Sequence, residues 1–150
     1  SGFITGFAWV KLACAHTNMD LGYLDTKIGD AIIRACRELI AGRLHDQIIV
    51  DPYQGGAGTS TNMNINEVIA NRALEILGLP KSSYDHIDPI DHVNMHQSTN
   101  DVFPTALKVT VLFQLKELEQ AGVDLFVMYL MSGEEEAQLE AYADIVTALR

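Results

Sequence analysis

The stretch from Pro104 to Leu115 limits this chain more than any other. From Ala106 to Leu115 only Lys108, Thr110 and Gln114 are polar, so a helix here is apolar around most of its circumference and belongs inside a bundle. Pro104 suits a first helical position, because it has no N–H to lose. Continued to Met131, such a helix spans roughly 40 Å at about 1.5 Å per residue. The reading is a mainly α chain whose apolar girdle, residues 106–115, requires partners.

The remaining sequence repeats the three-to-four spacing of helices. Residues 7–16 read as helical. After Asp25, a capping residue, Ile28, Ile32, Ile33, Cys36, Leu39 and Ile40 share one face, and Gly42 marks the stop. A third helix is expected over 64–77, with Val68, Ile69, Ala73, Ile76 and Leu77 inward and Gly78 and Pro80 ending it. A fifth starts at Ser132, three residues before Glu135, a capping-box spacing. Residues 134–136 form its solvated first turn, and Leu139, Tyr142, Ala143, Val146 and Leu149 its stripe. Trp9 and Phe113 are expected in the core. Both ends enter or leave helical sequence without a cap, so the chain reads as a fragment of a longer protein.

Composition narrows the function classes. The 150 residues are 48% apolar and 20% charged, enough for a packed core. Twenty acidic residues against ten basic ones leave a net charge of -10. That disfavours non-specific nucleic-acid binding and docking on anionic membranes, which both require excess Lys and Arg. Cys14 and Cys36 lie far apart with no CxxC pattern and read as reduced, buried thiols. The start lacks a signal-peptide pattern, and the apolar run 123–131, broken by Asp124, is too short to span a bilayer. The expectation is a soluble, cytoplasmic protein.

Two polar loops carry the chemical information. The first, DPYQGGAGTSTNMN over 51–64, places Gly55, Gly56 and Gly58 before a run of hydroxyl and amide side chains and a helix start. Free N–H groups and the helix dipole favour an anion there. No GxxxxGK[ST] or GxGxxG is present, so neither a P-loop nor a dinucleotide fingerprint applies. The second, HQSTNDVFPT over 96–105, crowds Ser98, Thr99, Asn100 and Asp101 ahead of another helix. Turn and cap chemistry accounts for either loop taken alone. Facing each other, the two could hold the ends of a small dicarboxylate through neutral donors. His92 and His96 are four apart beside Asp88 and Asp91, a conceivable metal spacing. Pro89 argues against the helix that would align them, so they read as hydrogen-bonded loop histidines and no metal is expected. His16, His45 and His86 read as structural or exposed. Spacing alone yields no paired nucleophile and base.

With their flanks, these loops resemble the aspartase/fumarase superfamily. GGAGTSTNMNINEVIANRALEILG (55–78) and DHVNMHQSTNDVFPTA (91–106) look like its first two signature regions. Residues 21–50 look like the preceding helix, and AYADIVTALR like the approach to the third motif. GAGTS and QSTND lean toward the aspartate ammonia-lyase branch, since class II fumarases typically carry GSGT and Ser-Ser-Asn there. The resemblance implies an N-terminal helical domain over 1–97 and the first part of a central helical bundle over 98–150. It further implies a homotetramer, no organic cofactor, and reversible anti-elimination of L-aspartate to fumarate and ammonia through an aci-carboxylate dianion. By resemblance Thr59, Ser98, Thr99 and Asn100 bind substrate carboxylate, while Gly55, Gly56, Gly58, Asp101 and Pro104 shape the loops. The third motif (TxLQDA-like) and the serine-base loop (SSxMPxKxNP-like) do not occur in these residues, so no catalytic residue is assigned. An arginine-bearing N-terminal segment of the family is likewise missing, and residues 121–136 match poorly. The resemblance covers most of 22–118 and then 137–150. The alternatives are a class II fumarase and a non-catalytic helical interaction module.

Overall fold

The computed structural model describes residues 2–51 and 58–123. Among them all regular structure is helical: α1 Gly2–Asp20, α2 Thr26–Ile40, α3 Thr59–Ile76 and α4 Thr99–Gln120, with a 3-10 turn at His45–Gln47 and a π-helical turn at Pro89–Val93. The mainly α expectation holds. The helix read from Ser132 and the pattern beyond it lie outside the described residues, as do Gly55 and Gly56.

Local signals set α2 as read. Asp25 accepts hydrogen bonds from the Lys27 and Ile28 N–H groups at 2.9 and 3.2 Å, a cap that contributes about 1 kcal/mol. Its Ile32, Ile33, Cys36 and Leu39 are buried, and Ile28 and Ile40 pack half-buried against the same core. Helix α1 packs on α2 and α2 on α3, and Phe7, Ile65, Ile69, Ala73 and Leu74 complete the core. On the outside of this stack, Arg72 of α3 grips Glu38 of α2 through two bonds of 2.7 and 2.9 Å. Those bonds hold the Glu38 carboxyl below its ordinary range.

Two helices start five residues before their expected heads. Helix α3 begins at Thr59 rather than Asn64, and α4 at Thr99 rather than Pro104. In α4 the Ser98 cap decides. Its Oγ accepts the Asn100 N–H at 3.2 Å, and its carbonyl accepts from Asp101 and Val102, both at 3.0 Å. Pro104 is therefore an interior residue, without an N–H for the Asn100 carbonyl.

The chain divides into two compact units, Ser1–Thr110 and Val111–Arg150. Helix α4 gives the first unit Val102, Ala106 and Thr110, all buried. The girdle, read as requiring partners, leaves Leu107, Val111 and Phe113 43%, 38% and 44% exposed among the described residues. Phe113 lies past the end of the first unit and is not a core residue. Neither is Trp9, 41% exposed, because it projects from the side of α1 opposite the buried Phe7 and Lys11. No helix among the described residues is long and apolar enough to cross a membrane.

Candidate functional site

The first turn of α3 starts on a glycine by necessity. Gly58 sits at φ +86, in the left-handed region, and a methyl group there would overlap the Phe103 ring. Phe103 in turn meets Phe3 and Phe7 edge-on, with ring centroids 5.4 and 6.1 Å away. Being glycine, residue 58 gives no side-chain cap, so the opening N–H groups of α3 take no such bond from it. Thr59, exposed, is the first helical residue.

The same contact brings in the second loop. Phe103 belongs to the opening of α4, and Asn62, in the first turn of α3, donates to the Thr99 hydroxyl at 3.0 Å. Two helix N-termini thus lie side by side, with the positive ends of both dipoles at one place. Around them Ser98 and Asn100 are exposed and Thr99 half-buried. Asp101 is exposed, and its carbonyl accepts the Thr105 hydroxyl at 2.6 Å. Thr59, Ser98, Thr99 and Asn100, four residues read from the sequence as carboxylate ligands, therefore flank one junction. Two other loop residues serve the scaffold instead. Asn62 is fully buried, and Asn64 accepts the Ile49 and Val50 N–H groups at 2.9 and 3.3 Å, clipping the preceding segment to α3.

Beneath the junction runs a polar network that the sequence reading missed. Lys11, 1% exposed, donates to Asn94 Oδ1 at 3.0 Å and to Gln97 Oε1 at 2.8 Å. Asn94 Oδ1 also accepts from Asn62 and Asn66, at 3.1 and 3.2 Å. Asn94 closes its own turn by donating to the Gln97 carbonyl at 3.0 Å. Burial lowers the Lys11 amine to about 7, with smaller opposing effects from Cys14 and Cys36. Burial likewise pushes the Cys36 thiol up to about 12. Among the described residues Thr61 Oγ1, Asn62 Oδ1 and Asn66 Oδ1 are buried without a hydrogen-bond partner, each costing about 1–3 kcal/mol. A signal was present in the sequence: Lys11 is the one charged residue between Phe3 and Met19, and Asn62 and Asn66 sit one helical turn apart.

His92 and His96 are both held by hydrogen bonds, as expected, but only His96 lies in a loop. His92 Nδ1 accepts the Asp88 N–H at 2.8 Å, and His96 Nδ1 lies 2.9 Å from Asn18 Oδ1. The π-helical turn at Pro89–Val93 nonetheless gives His92 a helical setting that Pro89 was read as forbidding. No group of three or more metal-ligating side chains occurs among the described residues.

Comparison with known proteins agrees with this architecture. Aspartate ammonia-lyase of Bacillus subtilis (strain 168) is 52% identical over 132 residues, covering 88% of this chain and 28% of that protein. The crystal structure of a fumarate lyase:delta crystallin from Brucella melitensis matches with TM-score 0.76 and 49% identity, over 80% of this chain and 28% of that one. A class II fumarase from Schistosoma mansoni follows with TM-score 0.72 and 39% identity, over 77% and 24%. The chain thus spans about a quarter of the length of these relatives. The family model described as Lyase matches residues 2–146; with the helical stack and both signature loops inside that span, the chain belongs to this lyase family.

Proposed function

We propose that this chain supplies one wall of the dicarboxylate site of an aspartate ammonia-lyase, which eliminates ammonia from L-aspartate reversibly to give fumarate. The single observation that carries the reading is the junction of α3 and α4, tied by the 3.0 Å bond from Asn62 to Thr99. Thr59, Ser98, Thr99 and Asn100 bind a substrate carboxylate there through neutral donors. Loss of the C3 proton makes that carboxylate a dianion, and donors placed for the extra charge stabilise it more than the ground state. Gly55, Gly56, Gly58 and Asp101 shape the two loops. No metal and no organic cofactor enters the reaction, and no nucleic acid or membrane is a partner.

Residues 1–97 form the N-terminal domain and 98–150 the start of the central bundle of a cytoplasmic homotetramer. The exposed Leu107, Val111 and Phe113 are then covered by other bundle helices. Sedimentation of the chain is expected to show self-association, and a clean, well-folded monomer would refute this. Because the SSxMPxKxNP-like stretch does not occur here, the 150 residues alone are expected to form no fumarate; turnover above background in an ultraviolet absorbance assay refutes that.

The test of the site uses the protein at full family length. Thr59→Val and Ser98→Ala are each expected to weaken succinate binding about tenfold, the loss of one charge-assisted hydrogen bond. No loss in either favours a non-catalytic helical module. Turnover of malate rather than aspartate favours the class II fumarase reading, which the Schistosoma mansoni likeness keeps open.

A further inference from the structure

Lys11 is a costly residue to bury. Among the described residues its amine on α1 is faced by the thiols of Cys14 and Cys36 and by the carboxamide oxygens of Asn94 and Gln97 rather than by a carboxylate. Such a group persists when the surrounding structure depends on its donors. What depends on them here is the turn that leads into α4. Lys11 holds Asn94 and Gln97 from one side, while Asn62 and Asn66 of α3 hold Asn94 from the other. Asn62 then passes its second contact on to the Thr99 hydroxyl. A continuous chain of bonds therefore joins α1 to the residue placed against the substrate carboxylate.

We propose that Lys11 is a positioning residue for the dicarboxylate site: by pinning Asn94 and Gln97 it sets the 94–99 segment against α3 and fixes where the Thr99 hydroxyl stands. This rests on the carboxylate-site reading and adds to it a group that does not touch the substrate. Without Lys11, Asn94 and Gln97 lose a shared anchor, and the Thr99 hydroxyl loses its fixed place against Asn62. The coupling runs through Asn94 and Asn62, so it ends at Thr99.

The experiment is a double-mutant cycle on the full-length protein, read as the dissociation constant of succinate by calorimetry. Lys11→Met is expected to weaken binding about tenfold in the wild-type background and less than about twofold in a Thr99→Val background, a coupling of the size seen within hydrogen-bond networks. A residue that only stabilised the fold would give the same loss in both. Equal losses, or no loss in the wild-type background, overturn the proposal. Thr99→Val alone decides the underlying reading: unchanged affinity in that variant overturns the carboxylate site and this proposal together. Weakened affinity there with unchanged affinity in Lys11→Met overturns the role of Lys11 alone. Should Lys11→Met fail to fold, Gln97→Met removes one of the two lysine acceptors and is read in the same two backgrounds. Non-additive losses support the proposal, and additive losses or none overturn it.

Discussion

Between pH 7 and 9 the protein is expected to gain about 2 kcal/mol of unfolding free energy that a Lys11→Met variant does not gain, at about 1.4 kcal/mol per unit of separation between folded and unfolded pKa. The sign follows from where the proton is. In the unfolded chain Lys11 titrates near its ordinary 10.5, whereas burial brings it to about 7 in the folded protein. Across that window the unfolded state binds more protons than the native one, so raising the pH favours the native state. Below pH 7 both states are protonated and the penalty of the buried charge is fully present. Above pH 9 the thiols intrude, because Cys14 and Cys36 are raised and the native state then holds protons that the unfolded chain releases. The measurement is urea unfolding of both proteins at several pH values between 6 and 9. Parallel curves would show that Lys11 carries an ordinary amine.

Gly58→Ala is the second large effect, an expected loss of about 2–4 kcal/mol. Two costs combine at this position. A left-handed backbone at φ +86 penalises any β-carbon by about 1 kcal/mol. The added methyl also meets the Phe103 ring, and Phe103 cannot retreat without disturbing Phe3 and Phe7, an overpacking cost of about 1–3 kcal/mol. Gly78 separates the two. It has φ +76 and nothing within 4 Å of a β-carbon, so Gly78→Ala carries the backbone cost alone. Thermal or urea unfolding of both variants decides the matter. Equal losses would mean that the contact between the openings of α3 and α4 is slack, which removes the basis for treating them as one site.

Both effects arise from contacts between residues far apart in the sequence. Gly58 reads from the sequence as a loop-shaping glycine, but its neighbour Phe103 lies 45 positions away, and no local pattern links them. Asn62 and Asn64 looked alike in the run STNMN. One turned out to face the buried network and the other to clip residues 49 and 50. The early start of α3 has a related cause: Thr61 and Asn62, polar residues of the loop motif, are buried in its first turn, where hydrophobic periodicity has no means of counting them.

The sequence by itself settled the helical class, the stripe and cap of α2, the family and the two polar helix entrances, since each depends on residues within a few positions of one another. Only the tertiary structure decided that the entrances adjoin, that a lysine lies beneath them and that Leu107, Val111 and Phe113 are exposed among the described residues. Those are matters of which distant side chains share a buried space, and the energy of a buried charge or an overlapping methyl depends on neighbours that sequence separation does not reveal.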